Sequence, residues 1–147
     1  FSSMSNRVFE VLQHMLKMRK DRSVAQSKRV QAEYQRVRSF SDQIQSYAHE
    51  YESNWMSTAQ KGDTVLHLHT QASFGQKLRA TAQSQQPEVE ALATQSRQAL
   101  DKALQDSQRL KTLQKFLAQQ QRQRQHAQER QDERALEDAL QARHRSR

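Results

Sequence analysis

The side chains best able to do chemistry in this sequence are scattered, and their spacing points to contact rather than catalysis. His67 and His69 stand two positions apart. On a helix an i, i+2 pair points in different directions, and neither a cysteine nor a carboxylate cluster joins them, so no metal site is expected. No nucleophile lies beside a base, no glycine-rich loop offers to cradle a phosphate, and no carboxylate pair sits in an apolar stretch. No catalytic residue and no cofactor follow from this, and the chain reads as a non-enzyme. Recognition remains, and two groups of residues suit it. The first is basic: Lys17, Arg19, Lys20, Arg22, Lys28, Arg29, Arg36 and Arg38 are opposed only by Asp21 and Glu33. Such a run is a solvated face, or a site for an acidic protein or for nucleic acid. Stacking aromatics and a groove-reading motif are missing, so nucleic acid is not the expected partner. The second group is aromatic, Phe40, Tyr47 and Phe74, and its use depends on the elements that carry it.

Those elements must be few and long. With 147 residues, 34% hydrophobic and 27% charged, the chain has room for one domain but too few apolar side chains for a wide core. A two-helix seam needs apolar groups at only about two positions in seven, which this composition supplies. Two glycines and one proline leave little to make turns. Gln, Arg, Lys, Glu, Ala and Leu dominate, and their side chains lose little freedom on a helix. The absence of cysteine removes disulfide and thiolate chemistry and fits a cytoplasmic protein. No apolar run approaches the roughly 18 to 20 residues of a membrane span, and no signal-peptide core is present, so the protein reads as soluble. Phe1-Ser2-Ser3 ahead of Met4 reads as a vector remnant.

Helical spacing runs through Phe9, Leu12, Leu16, Val30, Tyr34, Val37, Ile44, Tyr51 and Trp55. Between Lys17 and Arg29 only Met18, Val24 and Ala25 are available to pack, making this the weakest part of the seam. Residues 58–65, with Gly62 and an Asp63 or Thr64 N-cap, form the turn. A second stripe follows through Phe74, Leu78, Ala82, Val89, Leu92, Ala99, Ala103, Leu110, Leu113 and Leu117. Pro87 sits inside it, so a kink or local break is expected from Gln83 to Pro87. The fold class is therefore all-α, a long two-helix antiparallel coiled-coil hairpin. Its single domain covers residues 4–147, with helices at 5–57 and 66–142. Folding back near residue 61 pairs positions whose numbers add to roughly 122, which sets Phe9 opposite Leu113 and Leu12 opposite Leu110.

In this frame Phe40 and Tyr47 lie beside the first stripe, and Phe74 flanks Leu78 on the second. They either widen the seam or form an exposed aromatic strip that anchors a protein. Gly75 is expected to permit close helix approach there. Beyond Leu117 the seam ends, and residues 119–134 cannot bury themselves. Leu136 and Leu140 then offer a short apolar face.

The sequence resembles the flagellar FliJ family, coiled-coil components of the type III export apparatus, over most of its length. The resemblance rests on Tyr47-Ala48-His49-Glu50-Tyr51, the polar turn with Gly62, the spacing of Phe74 and Leu78, and the late Asp132-Glu133. It implies a patch for the membrane export gate protein FlhA, with Ile44, Tyr47 and Tyr51 on the first helix and Phe74, Leu78, Thr81 and Gln85 on the second. Phe40, Thr81 and Gln85 depart from the family's frequent Gln, Ala and His, so the edges of the patch differ here. It also implies that the terminal end enters the hexameric export ATPase FliI, with Phe9, Leu12, Leu117, Arg122, Arg124 and Arg130 as contacts, and that export chaperones bind. The implied location is the cytoplasmic face of the inner membrane at the flagellar base, touching the membrane only through the gate. An injectisome stalk would share nearly every physical feature, and a nucleic-acid-associated coiled coil is the alternative of another class.

Overall fold

In the computed structural model, residues 2–62 and 64–146 are described, with side chains from Ser5 onward. Two α-helices account for nearly all of them: α1, Ser2–Gln60, and α2, Val65–Arg145. Straight-chain helix formers propagate both helices, and the pair of turn residues ends the first. The Lys61 N–H donates to the Thr58 carbonyl at 3.1 Å and the Gly62 N–H to the Ala59 carbonyl at 3.3 Å. Gly62 holds a φ of 80°, the left-handed conformation that lets a chain leave a helix without a Cβ clash. On the far side the Thr64 hydroxyl accepts from the His67 N–H at 3.4 Å, capping α2. Asp63, the other cap candidate, and Phe1 of the suspected vector remnant lie outside the described residues. Ser2 and Ser3 are helical. The turn is tighter than the expected 58–65, because α1 runs three residues past 57 and α2 begins at Val65.

The helices pack against each other as an antiparallel hairpin through a seam of regular period. On α1 a sheltered row runs through Phe9, Gln13, Leu16, Lys20, Ser23, Ser27, Val30, Tyr34, Val37, Ser41, Ile44 and Ala48, alternately four and three apart, with Val24 half-buried beside it. On α2 the same alternation runs from Gln71 and Gly75 through Leu110, Leu113 and Leu117 to Gln120. This is the heptad pattern of a coiled coil. It corrects two expectations. Leu12 is 39% exposed and flanks the seam, its place taken by Gln13. The register also shifts, since Phe9 meets Phe116 and Tyr51 meets Phe74, and in both pairs the residue numbers add to 125. The shift follows from the turn, whose midpoint lies between Gln60 and Val65 rather than at Lys61.

α2 continues through Pro87 without the expected break. Gln83, whose carbonyl loses its N–H donor there, is exposed, so water can donate the missing hydrogen bond. Ala82, Gln85 and Val89 keep the seam running on both sides.

Two compact units divide the hairpin. In the unit Asp21–Leu104 the buried apolar residues are small or single: Ile44, Ala48, Ala82 and Ala103, with Ser23, Ser27 and Ser41 also buried. Of the expected packing residues Met18, Val24 and Ala25, Val24 is half-buried, whereas Met18 is 44% exposed and Ala25 is exposed, and buried Ser23 and Ser27 hold the seam there. In the unit formed by Phe1–Lys20 and Gln105–Arg147, Leu110 is buried and the rings of Phe9 and Phe116 are 5.9 Å apart at 53°. Asp106 is 3% exposed, with Arg109 Nη1 3.9 Å from Oδ1 and no hydrogen-bond partner on Oδ2. Among the described residues no large side chain is fully buried. No described helix is long and apolar enough to cross a membrane.

Candidate functional site

The heptad decides which residues near the turn can meet a partner. Phe40 and Tyr47 each precede a seam position on α1, Ser41 and Ala48; Phe74 and Thr81 each precede one on α2, Gly75 and Ala82. In an antiparallel pair, residues that occupy this place on both helices line the same side of the seam. Phe40, Tyr47 and Phe74 are 53, 53 and 46% exposed. Of the two readings open to them, the exposed strip is the one the structure adopts. Tyr51 supports it from the seam, its ring 4.8 Å from that of Phe74 at 54°. Such aromatic contacts fix side chains that would otherwise sample several rotamers.

Ile44, Leu78 and Gln85 occupy the seam itself. Ile44 is 8% exposed, so little of its side chain is open to another molecule. Gln85 is half-buried, and its Oε1 has no hydrogen-bond partner. Thr81 is exposed, but its hydroxyl donates to the Lys77 carbonyl of its own helix at 2.9 Å. Tyr47, Phe74 and Thr81 are therefore the accessible members of the implied patch, with Phe40 exposed beside them and Tyr51 at their partly exposed edge.

The opposite flank has different chemistry. Glu52 and Arg79 form an ion pair across the helices there. Beside it an open cleft of about 320 Å³ is walled by Tyr51, Trp55 and Met56 on α1 and by Ala72 and Gly75 on α2. Neither this cleft nor the exposure of Val65 and Leu66, 83 and 78%, was foreseen. The signal available was the small pair Ala72 and Gly75 facing Trp55, which leaves room above α2. A carbon added at Gly75 would lie 3.6 Å from the Tyr51 Cβ, an ordinary contact, so close helix approach does not require this glycine.

In the terminal unit the residues assigned to a ring contact separate into two kinds. Phe9 and Leu117 are half-buried in the seam, and Leu12 flanks it. Arg122, Arg124 and Arg130 are exposed. Arg124 Nη1 donates to Asn6 Oδ1 at 3.4 Å, and Arg130 Nε donates to the His126 carbonyl at 3.4 Å. Past Gln120 every described residue is exposed.

The basic stretch stays open to solvent apart from Lys20, which is half-buried in the seam. Arg36 donates to Glu33 at 2.6 Å. That hydrogen bond, with the attraction of the same carboxylate, raises the guanidinium further above its already high ordinary value. Arg38 Nη1 donates to the Tyr34 hydroxyl at 3.3 Å, its guanidinium 5.9 Å from the ring centre.

Comparison with models of known protein families matches residues 5–147 to the model described as flagellar FliJ protein. No curated protein and no solved structure matches the chain.

Proposed function

Because the chain belongs to the flagellar FliJ family, a component of the flagellar export apparatus, we propose that it is the apparatus's non-enzymatic stalk. It works in the cytoplasm at the flagellar base and couples the export ATPase ring to the export gate. The terminal unit enters the hexameric ATPase FliI and promotes its assembly and ATP hydrolysis. The aromatic flank near the turn engages the gate protein FlhA, and export chaperones dock on the same hairpin. The family's description as flagellar favours this system over the injectisome.

The observation that carries this reading is the exposed row of Phe40, Tyr47 and Phe74 over a buried Ile44. Large aromatic side chains held outward on a rigid pair of helices lose little further entropy when a partner covers them. At the other end, the α2 segment past Gln120 has no seam to fill, which suits a helix whose contacts lie on another protein. The proposal is tested by adding the purified chain to the export ATPase and, separately, to the cytoplasmic domain of the gate. Stimulation of ATP hydrolysis and binding to the gate domain are expected. A chain ended after Gln120 should retain gate binding and the parent melting temperature but lose stimulation. A chain that neither stimulates the ATPase nor binds the gate domain would refute the proposal.

A further inference from the structure

α1 carries a second apolar stripe that the hairpin does not use. Val8, Val11, Met15 and Met18 recur three and four apart, on the side away from the seam residues Phe9, Gln13 and Leu16. They are 63, 59, 60 and 44% exposed. Arg7 and Arg19, both exposed, border the stripe. On the tail of α2, Leu136 and Leu140 stand one helical turn apart and are 62 and 57% exposed. Glu133, Asp132 and Glu129 lie three, four and seven positions before Leu136, hence on the same side of the helix, and Glu137 adjoins it. Both stripes belong to the unit Phe1–Lys20 with Gln105–Arg147.

The tail cannot reach the α1 stripe of its own chain. Arg124 already lies against Asn6 near the start of α1, so residues 129–145 run past it for as long as α2 stays helical. A second copy can supply what is missing. One face is apolar with arginines at its border, and the other is apolar with carboxylates over residues 129–137 and Arg143 beyond Leu140, so the two match in hydrophobicity and, over the carboxylate-bearing part, in charge. We infer that this protein self-associates, the Leu136–Leu140 tail of one copy docking on the Val8–Met18 face of α1 in another. Because each copy carries both a tail and a face, two copies that dock reciprocally close into a pair, and copies that dock one after another form a longer chain.

Sedimentation velocity of the full chain over a range of concentrations tests this. Larger species should appear as concentration rises, and salt should suppress them by screening the bordering charges. A variant with Val11→Glu and Met15→Glu, and another with Leu136→Lys and Leu140→Lys, should each remain monomeric with the parent's helicity by circular dichroism. Mixed in equal amounts, the two should form a one-to-one pair that grows no further, since only one intact tail and one intact face remain; this mixture also shows that both variants are folded. A parent chain that stays monomeric throughout, a variant that associates like the parent, or a mixture that stays monomeric would each overturn the inference.

Discussion

Ile44 is 8% exposed while Tyr47, three positions on, is 53% exposed, so truncating the two probes different properties. Ile44→Ala should cost about 2 kcal/mol or more of stability, because a seam one residue wide has few neighbours able to fill the space. Tyr47→Ala and Phe74→Ala should leave helicity intact and weaken binding of the gate domain about tenfold or more each, roughly 1.4 kcal/mol. Calorimetric titration alongside thermal melts separates these outcomes. A loss of fold in the tyrosine variant would mean that its ring packs the seam after all. The two glycines diverge in the same way. Gly62 has a φ of 80°, and Gly62→Ala should destabilise the hairpin by about 1 kcal/mol, the strain of a Cβ in the left-handed region. At Gly75 the added carbon makes an ordinary contact with Tyr51, so Gly75→Ala should stabilise by about 0.5 to 1 kcal/mol through helix propensity. Denaturant melts read both signs, and a destabilised Gly75→Ala variant would restore the close-approach role that the sequence suggested.

At the scale of elements, α2 contains a proline that the helix tolerates rather than needs. Pro87 is exposed and the helix continues through it, so Pro87→Ala should raise stability by up to about 3 kcal/mol by restoring an intrahelical hydrogen bond. An unchanged melting temperature would show that water already compensates fully at Gln83. The two helices were legible because their sheltered residues repeat at helical spacing, and that periodicity survives substitution of individual residues. Their exact seam was less so. Gln13, Lys20, Ser23, Ser27 and Asp106 hold seam positions that hydropathy does not mark, because a coiled coil fixes its seam by the average of many positions and tolerates polar ones singly. The aromatic strip was legible as a set of residues, but whether it faced inward or outward was not. That depended on whether Ser41, Ala48, Gly75 and Ala82 took the seam in place of the rings beside them.

For the whole molecule the deciding quantity is register. Tyr51 and Gly75 face each other, with the Cβ that a side chain at 75 would carry lying 3.6 Å from that of Tyr51, inside the span a disulfide bridges. Since the sequence contains no cysteine, Tyr51→Cys with Gly75→Cys gives a clean readout. An oxidised product that migrates as a monomer in non-reducing electrophoresis is expected; a disulfide-linked dimer as the main product would place the partner of Tyr51 on another chain. Composition, the near absence of turn residues and the three-four spacing were enough to determine an all-α hairpin with its turn near Gly62, because these are local properties that each helix obeys alone. Which side chains the pairing hides, and hence which ones a partner can touch, was settled only when the two helices met. A shift of a few residues along the seam costs little in local helix energy, yet it changes which side chains lie opposite one another across it. The tertiary contact therefore selects Phe116 for Phe9 and Phe74 for Tyr51, and with them the exposed flank.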